Sequence, residues 1–433
     1  MKKLEIHNFG PTKNVAIEIK PMLVLIGPQA SGKSTIAKVI YFFETISDDF
    51  FAAYSQSEES EIYLKKYLST IIKNKFLKYF GLKKSFSLKY WYKQNIYIEI
   101  LETSGNLKIM FSDSFFDERK NGIILFSYKT NLLNLNKNNL STNAERQKCL
   151  QNIYQETKKI FCNNYDDSLY LIAGRNATVG YSNTFEDTFK QSLFQREITG
   201  KQTGDEILML DFMKRVLQMK DIFIGYDGFD GILSSIQNSL KPKLELLNKL
   251  IHNVLRGNYQ INNLGEFIMH NDVAVPLNYT SSGQQEAIRI LQDAFFGVFQ
   301  GNNLFRIVEE PEAHLFPEAQ KATIELLTLA LNNKSENNLI ITTHSPYTLT
   351  VINNLIYASK VGKKNPQEVE KILPNDLWLP SERVAAYILD NGTAESIIDE
   401  ELGEIKAEMI DSVSKIVNQE YDQLYDIEYD AEQ

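Results

Sequence analysis

Cysteine is nearly missing from this chain: Cys149 and Cys162 are the only two in 433 residues. They stand in no metal-ligand spacing, so a disulfide-stapled scaffold is not indicated and plain thiols in a reducing cytoplasm are expected. Histidine is scarce as well, and the five at positions 7, 252, 270, 314 and 344 form no metal spacing. No apolar run approaches the ~18 residues needed to cross a bilayer. Met1–His7 lacks the apolar stretch of a signal peptide, so no membrane role is expected. A long heptad run is absent too, which restricts any helical arm to a short one. So is an excess of positive charge: the formal net charge of −9 argues against a protein coated in nucleic acid.

What is present is an ordinary globular composition, 43% hydrophobic and 23% charged. The length allows about two to three domains. Charge is unevenly spread. Between Lys65 and Lys93 lysines stand at 65, 66, 73, 75, 78, 83, 84, 89 and 93 with no acid among them, interleaved with Phe76, Tyr79, Phe80, Phe86, Tyr90, Trp91 and Tyr92. Such a stretch is either a phosphate-binding patch or a solvated face whose aromatics belong to the core. From Glu395 onward the chain is acidic.

Periodicity gives the order of elements. Leu4, Ile6, Val15, Ile17 and Ile19 alternate around Asn8-Phe9-Gly10-Pro11, as two short strands and a turn do. Met22–Ile26 is a buried strand, followed by a glycine loop and a helix from about Lys33 to Phe43. Helices are expected over 46–80, strands over 85–128, helical stretches over 129–165, a short strand over Tyr170–Arg175 and helices over 185–255. Strands return over 264–278. Then a helix follows Ser281-Ser282-Gly283, and strand and helix alternate through 304–309, 317–331 and 338–343 to a helix starting near Pro346. Asn391-Gly392 is a two-residue hairpin turn. Leu402, Ile405, Met409, Val413, Ile416 and Leu424 mark an amphipathic C-terminal helix, and Asp426–Asp430 reads as a solvated tail.

Four motifs carry chemistry. Gly27-Pro28-Gln29-Ala30-Ser31-Gly32-Lys33-Ser34-Thr35 matches G-x-x-x-x-G-K-[ST] in full. Its backbone N–H groups cradle phosphates at a helix N-terminus, Lys33 reaches the β/γ-phosphates and the Ser34 hydroxyl is offered to Mg²⁺. Leu304–Glu310 is an apolar strand delivering carboxylates. Glu309 would serve the metal ion, and Glu310 would polarise water as general base. Ser281-Ser282-Gly283-Gln284 begins a helix, either as a plain N-cap or as a γ-phosphate sensor acting on the nucleotide of a facing subunit. His344, at the end of the 338–343 strand, is placed to hydrogen-bond the γ-phosphate.

In this order the motifs resemble the ABC-type ATPase heads of the SMC, RecF and OLD group, and more closely the stand-alone bacterial AAA-type ATPases related to OLD heads. The likeness covers residues 1–45 and 265–360, touches the hairpin and helix after 384, and includes the strand end Ala173-Gly174-Arg175. It implies an α/β fold: an ABC-type P-loop ATPase head with a mostly parallel sheet core, an N-terminal antiparallel β portion and a helical insertion. The head would span 1–180 and 264–400 with an insertion at 46–165. A helical subdomain or short arm would span 181–263, and the C-terminal helix and acidic tail 401–433. The likeness also implies an ATP-sandwich dimer. Ser281, Ser282, Gly283 and Gln284 would serve the partner's nucleotide. Pro311, Glu312, Ala313 and His314 would form the D-loop, and His344 would be the switch histidine. Asn8, Phe9 and Lys13 would lie near the adenine or α-phosphate. Glu309 stands where ABC transporters have aspartate, and no glutamine is assigned to the Q-loop.

No TOPRIM-like D-x-D pair follows His344. The resemblance therefore implies an ATP- and Mg²⁺-dependent homodimer or higher homo-oligomer that acts as sensor and scaffold for a separate HNH or TOPRIM effector nuclease. The setting would be anti-phage defence of the Septu or PARIS kind. The alternative is a RecF/SMC-like repair ATPase clamping DNA, with Lys83, Lys84 and Lys89 as contacts.

Overall fold

Apolar residues at every second position shape the first two strands, β1 (Lys2–Phe9) and β2 (Thr12–Ile19), which pair antiparallel. A computed structural model describes residues 2–57, 64–81, 85–115, 123–137, 142–179, 203–237 and 239–406. The strands that follow are β3 (Met22–Ile26), β4 (Phe86–Lys93), β5 (Ile96–Thr103), β6 (Asn106–Phe111) and β7 (Asp167–Leu171). Three more form a small antiparallel sheet of their own: β8 (Asn258–Asn262), β9 (Gly265–His270) and β10 (Val273–Pro276). The last are β11 (Leu304–Glu309), β12 (Asn338–Thr343), β13 (Val384–Asp390) and β14 (Thr393–Ser396).

The main sheet is mixed, in the order β6-β5-β4-β1-β2-β14-β13-β3-β12-β11-β7. Its parallel half runs from β13 through β3, β12 and β11 to β7. Its antiparallel half runs from β6 to β2. The halves join through Thr393 and Asn14, beside the Asn391-Gly392 turn. Residues 86–111 thus extend the same sheet as the N-terminal hairpin.

Helices cover both faces. They are α1 (Lys33–Glu44), α2 (Ile46–Gln56), α3 (Leu64–Phe80), α4 (Ile123–Lys137), α5 (Asn143–Ile160) and α6 (Gly204–Tyr226), then α7 (Phe229–Ser235), α8 (Lys241–Leu255), α9 (Ser282–Gln300), α10 (Pro317–Asn332), α11 (Pro346–Gly362) and α12 (Pro366–Ile372). The pleat divides the core in two. Met22, Val24, Val308 and Ile341 face a cluster built on α6 and α8–α11, whereas Leu23, Leu25, Ile307 and Ile340 face one built on α1–α5.

Some expectations change. The strands expected up to residue 128 stop at Phe111, and α4 begins at Ile123; the apolar run Ile123-Ile124-Leu125-Phe126 does not by itself distinguish a buried strand from a helix. The C-terminal helix does not begin at Leu402. The Asp399 carboxylate accepts from the N–H groups of Glu401 and Leu402, Gly403 takes φ +69°, and Ile405 bridges back to Ile398. Its continuation from Met409 to Leu424, with the tail residues Asp426–Asp430, lies outside the described residues, as do Lys83, Lys84 and the 185–202 part of the expected helical region. The lysine-rich stretch splits. Lys75 is buried on Thr45 and Asp49, and Lys89 lies over the rings of Trp91 and Tyr97. Phe76, Phe80 and Phe86 are packed around Phe9. Both cysteines are free thiols. Among the described residues no helix is long and apolar enough to cross a membrane.

Asp293 on α9 is buried between Arg215 (2.9 Å) and Arg306 (2.6 Å), and Asp167 bridges the same two guanidinium groups. Burial pushes the Asp293 pKa up, but Arg306 and Arg215 outweigh it and hold it below the usual carboxylate range. Its contribution to stability is therefore present above the unfolded value of about 4 and is lost as pH falls through the lower folded value. Asp293→Asn is expected to cost about 3–5 kcal/mol at neutral pH, measured by urea unfolding. The variant should also lose less stability than the parent between neutral and acidic pH.

Candidate active site

Strand register decides which residues meet. Ile26 is level with Thr343, and Thr342 with Glu309. Parallel neighbours ending together release the P-loop, His344, Glu310 and the segment after β7 along one edge, where open parallel sheets hold ligands.

The P-loop is wedged between the end of β13 and the turn that joins β1 to β2. Gly27 has φ +152°, and a Cβ there would stand 2.3 Å from the Leu389 carbonyl oxygen. Gly32 has φ +103°, and its Cβ would meet Thr12 Cγ2 at 2.9 Å. Gln29 and Ala30 are exposed, Ala30 with φ +61°, and the Ser31 hydroxyl has no partner. Gly32 caps α1 with no side-chain acceptor, and no acid follows in the first turn. The first N–H groups of α1, beside half-buried Ser34 and Thr35, are therefore an anion site.

Lys33 points back into the loop. Its ammonium donates to the carbonyls of Gly27 and Pro28, both at 2.8 Å, and stands 3.5 Å from His344 Nδ1. Partial burial pushes its pKa down, against the opposing pull of Glu310, Glu312 and Glu309. A poorly solvated cation among carboxylates and carbonyls is suited to a polyanion such as a nucleotide phosphate.

The two glutamates at the end of β11 differ in setting. Glu309 is buried and accepts from the Tyr170 hydroxyl (2.7 Å) and the Ala173 N–H (3.1 Å). Glu310 is solvent-accessible, with Oε1 3.4 Å from His344 Nε2. Its φ of +44° is unusual for a glutamate, a conformation that costs on the order of 1 kcal/mol. Pro311, Glu312, Ala313 and His314 form the turn that follows, and His314 also takes a positive φ, +58°. Glu312 accepts from Thr343 Oγ1 (2.7 Å) and the His344 N–H (2.8 Å), which ties this turn to the β12 end.

Ser281 caps α9: its Oγ accepts from the Gln284 N–H, and the Gln284 side chain accepts in return. Ser281 and Ser282 are exposed, whereas Gly283 packs so closely on the 311–315 turn that a Cβ would lie 2.5 Å from His314 O. Gln284 donates to Leu255 O. Contacts of 281–284 are thus with the 311–315 turn and α8, while Lys33, Glu310 and His344 meet at the P-loop of the same chain. Phe9, expected near the adenine or α-phosphate, is enclosed by Phe76, Phe80 and Phe86 because its β1 position faces the core. Asn8 and Lys13 remain exposed in the turn beside the loop.

Two residues outside the expected site bind it together. Arg175 follows Gly174 (φ +76°) in a 3-10 turn beyond β7, so the strand expected to reach 175 ends at Leu171. The Arg175 guanidinium is fully buried and donates to the carbonyls of Glu309 (2.6 Å) and Glu310 (2.9 Å). Glu286 of α9 accepts from the Arg175 N–H at 3.0 Å. The sequence signal was Glu286, Arg289 and Asp293 recurring at helical spacing on a face otherwise filled with apolar residues.

The sequence model of one family, described as an AAA ATPase domain, matches residues 1–349. The chain belongs to this AAA ATPase domain family. It is an ATPase. No curated protein matches the sequence. Among solved structures the ATPase is similar to an SMC head bound to the C-terminal winged-helix domain of ScpA (11% identity, 91% of this chain and 96% of that chain, TM-score 0.40). It is also similar to the recombination mediator RecF (10% identity, 91% and 97%, TM-score 0.34), and to the SMC head domain from Thermotoga maritima (11% identity, 91% and 97%, TM-score 0.33).

Because the P-loop start is pressed against β13, Gly27→Ala is expected to displace the loop and weaken ATP binding by about tenfold or more. Isothermal titration calorimetry measures the loss; an unchanged affinity would contradict this packing.

Proposed function

We propose that this ATPase hydrolyses ATP at sites shared between copies of itself, as a homodimer or higher homo-oligomer. The carrying observation is the α9 N-terminus. It presents exposed Ser281 and Ser282 to solvent, flanked by Tyr279 and Phe316 at 78% and 72% exposure, and its contacts within the chain are away from the P-loop. A helix N-terminus binds anions, and an apolar rim around it favours association. The γ-phosphate held by a partner's Lys33 satisfies both.

Each role follows from placement. Residues 27–35 bind the phosphates through backbone N–H groups. Glu310 accepts a proton from the attacking water as its oxygen bonds to the γ-phosphorus and the bond to ADP breaks, releasing inorganic phosphate. His344, beside both Lys33 and Glu310, orients that water and the γ-phosphate. The turn Pro311–His314 lies under Gly283 and carries contact between the copies. Ser34 and Glu309 supply hard oxygen donors, too few for an all-protein cage, which suits Mg²⁺ completed by phosphate and water. Bound there, the ion would neutralise developing phosphate charge.

Beyond turnover, we read the protein as a cytoplasmic sensor and scaffold whose ATP state holds or releases a separate HNH or TOPRIM nuclease in anti-phage defence. This rests on the motif set alone. Exposed Lys65, Lys66, Lys73 and Lys78 on α3 favour the second reading, a RecF/SMC-like clamp on DNA. Salt-sensitive DNA binding that stimulates turnover would select the clamp. ATP-dependent co-purification with a nuclease encoded beside it would select the scaffold.

Complementation tests the shared site. Lys33→Ala is expected to abolish most ATP binding, and Ser281→Arg to keep binding but stop hydrolysis. Mixing the two inactive chains should restore turnover, because one site per heterodimer then has both halves intact; no restoration would place the whole site in one chain. Glu310→Gln should bind ATP and trap a closed assembly, seen by light scattering, with turnover lowered about 100-fold or more. Parental turnover in that variant would remove Glu310 as the base.

A further inference from the structure

Arg175 is bonded unlike the other large buried arginines. Arg306 is neutralised by Asp293 and Asp167, and Arg289 by Glu266. Arg175, with one carboxylate partner in Glu286 at 3.4 Å, spends its remaining donors on carbonyls: Ile172 (2.7 Å), Glu309 (2.6 Å), Glu310 (2.9 Å) and Glu286 (3.2 Å). A planar guanidinium that donates to two consecutive carbonyls fixes the two peptide planes on either side of the second residue. Those planes flank Glu310, which is held at positive φ. The same arginine grips α9 one turn after Ser281, through both the carboxylate and the carbonyl of Glu286.

We propose that Arg175 is a positioning residue that joins two half-sites within one protomer: it sets Glu310 toward the nucleotide of its own P-loop and locks the Ser281 end of α9, which serves the partner's nucleotide. The inference rests on the shared-site reading above. Its physical content is rigidity. Glu310 and the α9 terminus move as one body because a single buried cation is bonded to both, and a third contact, Gly283 against His314 O, closes the triangle. Movement of α9 on assembly is therefore felt at Glu310 of the same chain. The geometry explains why a charge is buried at this point although a neutral side chain would fill the space at lower desolvation cost.

The test separates positioning from mere support. Arg175→Lys keeps a cation but cannot donate to both carbonyls in one plane, and Arg175→Met removes the charge. Both are expected to lower kcat about 100-fold with the ATP dissociation constant unchanged, since the P-loop is untouched. Arg175→Lys carries the test if Arg175→Met does not fold, which thermal melting reports. Equal loss of ATP affinity and turnover in a folded Arg175→Lys variant would overturn the inference, as would unchanged kcat.

Coupling is read in the Lys33→Ala and Ser281→Arg mixture, where one site per heterodimer survives. Arg175→Lys is added to either chain. On the Ser281→Arg chain it lies beneath the surviving Glu310; on the Lys33→Ala chain it lies behind the surviving Ser281 end. Loss of turnover in both placements is expected. Loss only on the Ser281→Arg chain would overturn the coupling and leave Arg175 as local support for Glu310. If the parent mixture never recovers turnover, the shared-site reading fails and the coupling fails with it, while the kcat and affinity measurements on the single variant still decide whether Arg175 positions Glu310.

Discussion

The parallel pairing of β3, β12 and β11 is the constraint on which everything else depends. It brings Ile26, Thr343 and Glu309 to one edge, so that three loops distant in sequence open onto the same space. A slip of two residues in any of these pairings would keep the buried faces buried and still separate Lys33 from Glu310. Continuous apolar runs cannot fix such a register by themselves, because they lack alternation. Here polar groups at the strand ends help: Glu312 bonds to Thr343 and His344, and the Glu310 N–H donates to Thr342 O at 2.8 Å. The Glu312 carboxylate thus keeps the ends of β11 and β12 aligned.

Much of this was legible beforehand, for definite reasons. The P-loop needs particular residues at particular positions, since Gly27 and Gly32 meet backbone and side-chain atoms where a Cβ would not fit. Strands with strict alternation, such as β1 and β2, and helices with a capping box, such as α9, announce themselves locally. The α/β class followed from strand and helix alternating after residue 300.

What stayed hidden depends on long-range packing. Nothing near Arg175 in sequence indicates that its guanidinium will meet carbonyls more than a hundred residues away. Phe9 was expected beside the adenine or α-phosphate, yet three phenylalanines from α3 and β4 enclose it. Lys75 looked like one more member of a basic stretch, but its helical phase turns it inward onto Thr45. In each case a local pattern admitted two environments, and the choice was made by elements far along the chain.

The P-loop's neighbours have a consequence for how the site is built. The wall against which Gly27 rests is Leu389, and the turn that holds Lys13 in place contains Gly392. Between them lies almost the entire chain. The seat of the P-loop is therefore a long-range construction, complete only where β13 lies beside β3. A chain cut before Leu389 would carry the motif without the wall on which Gly27 rests.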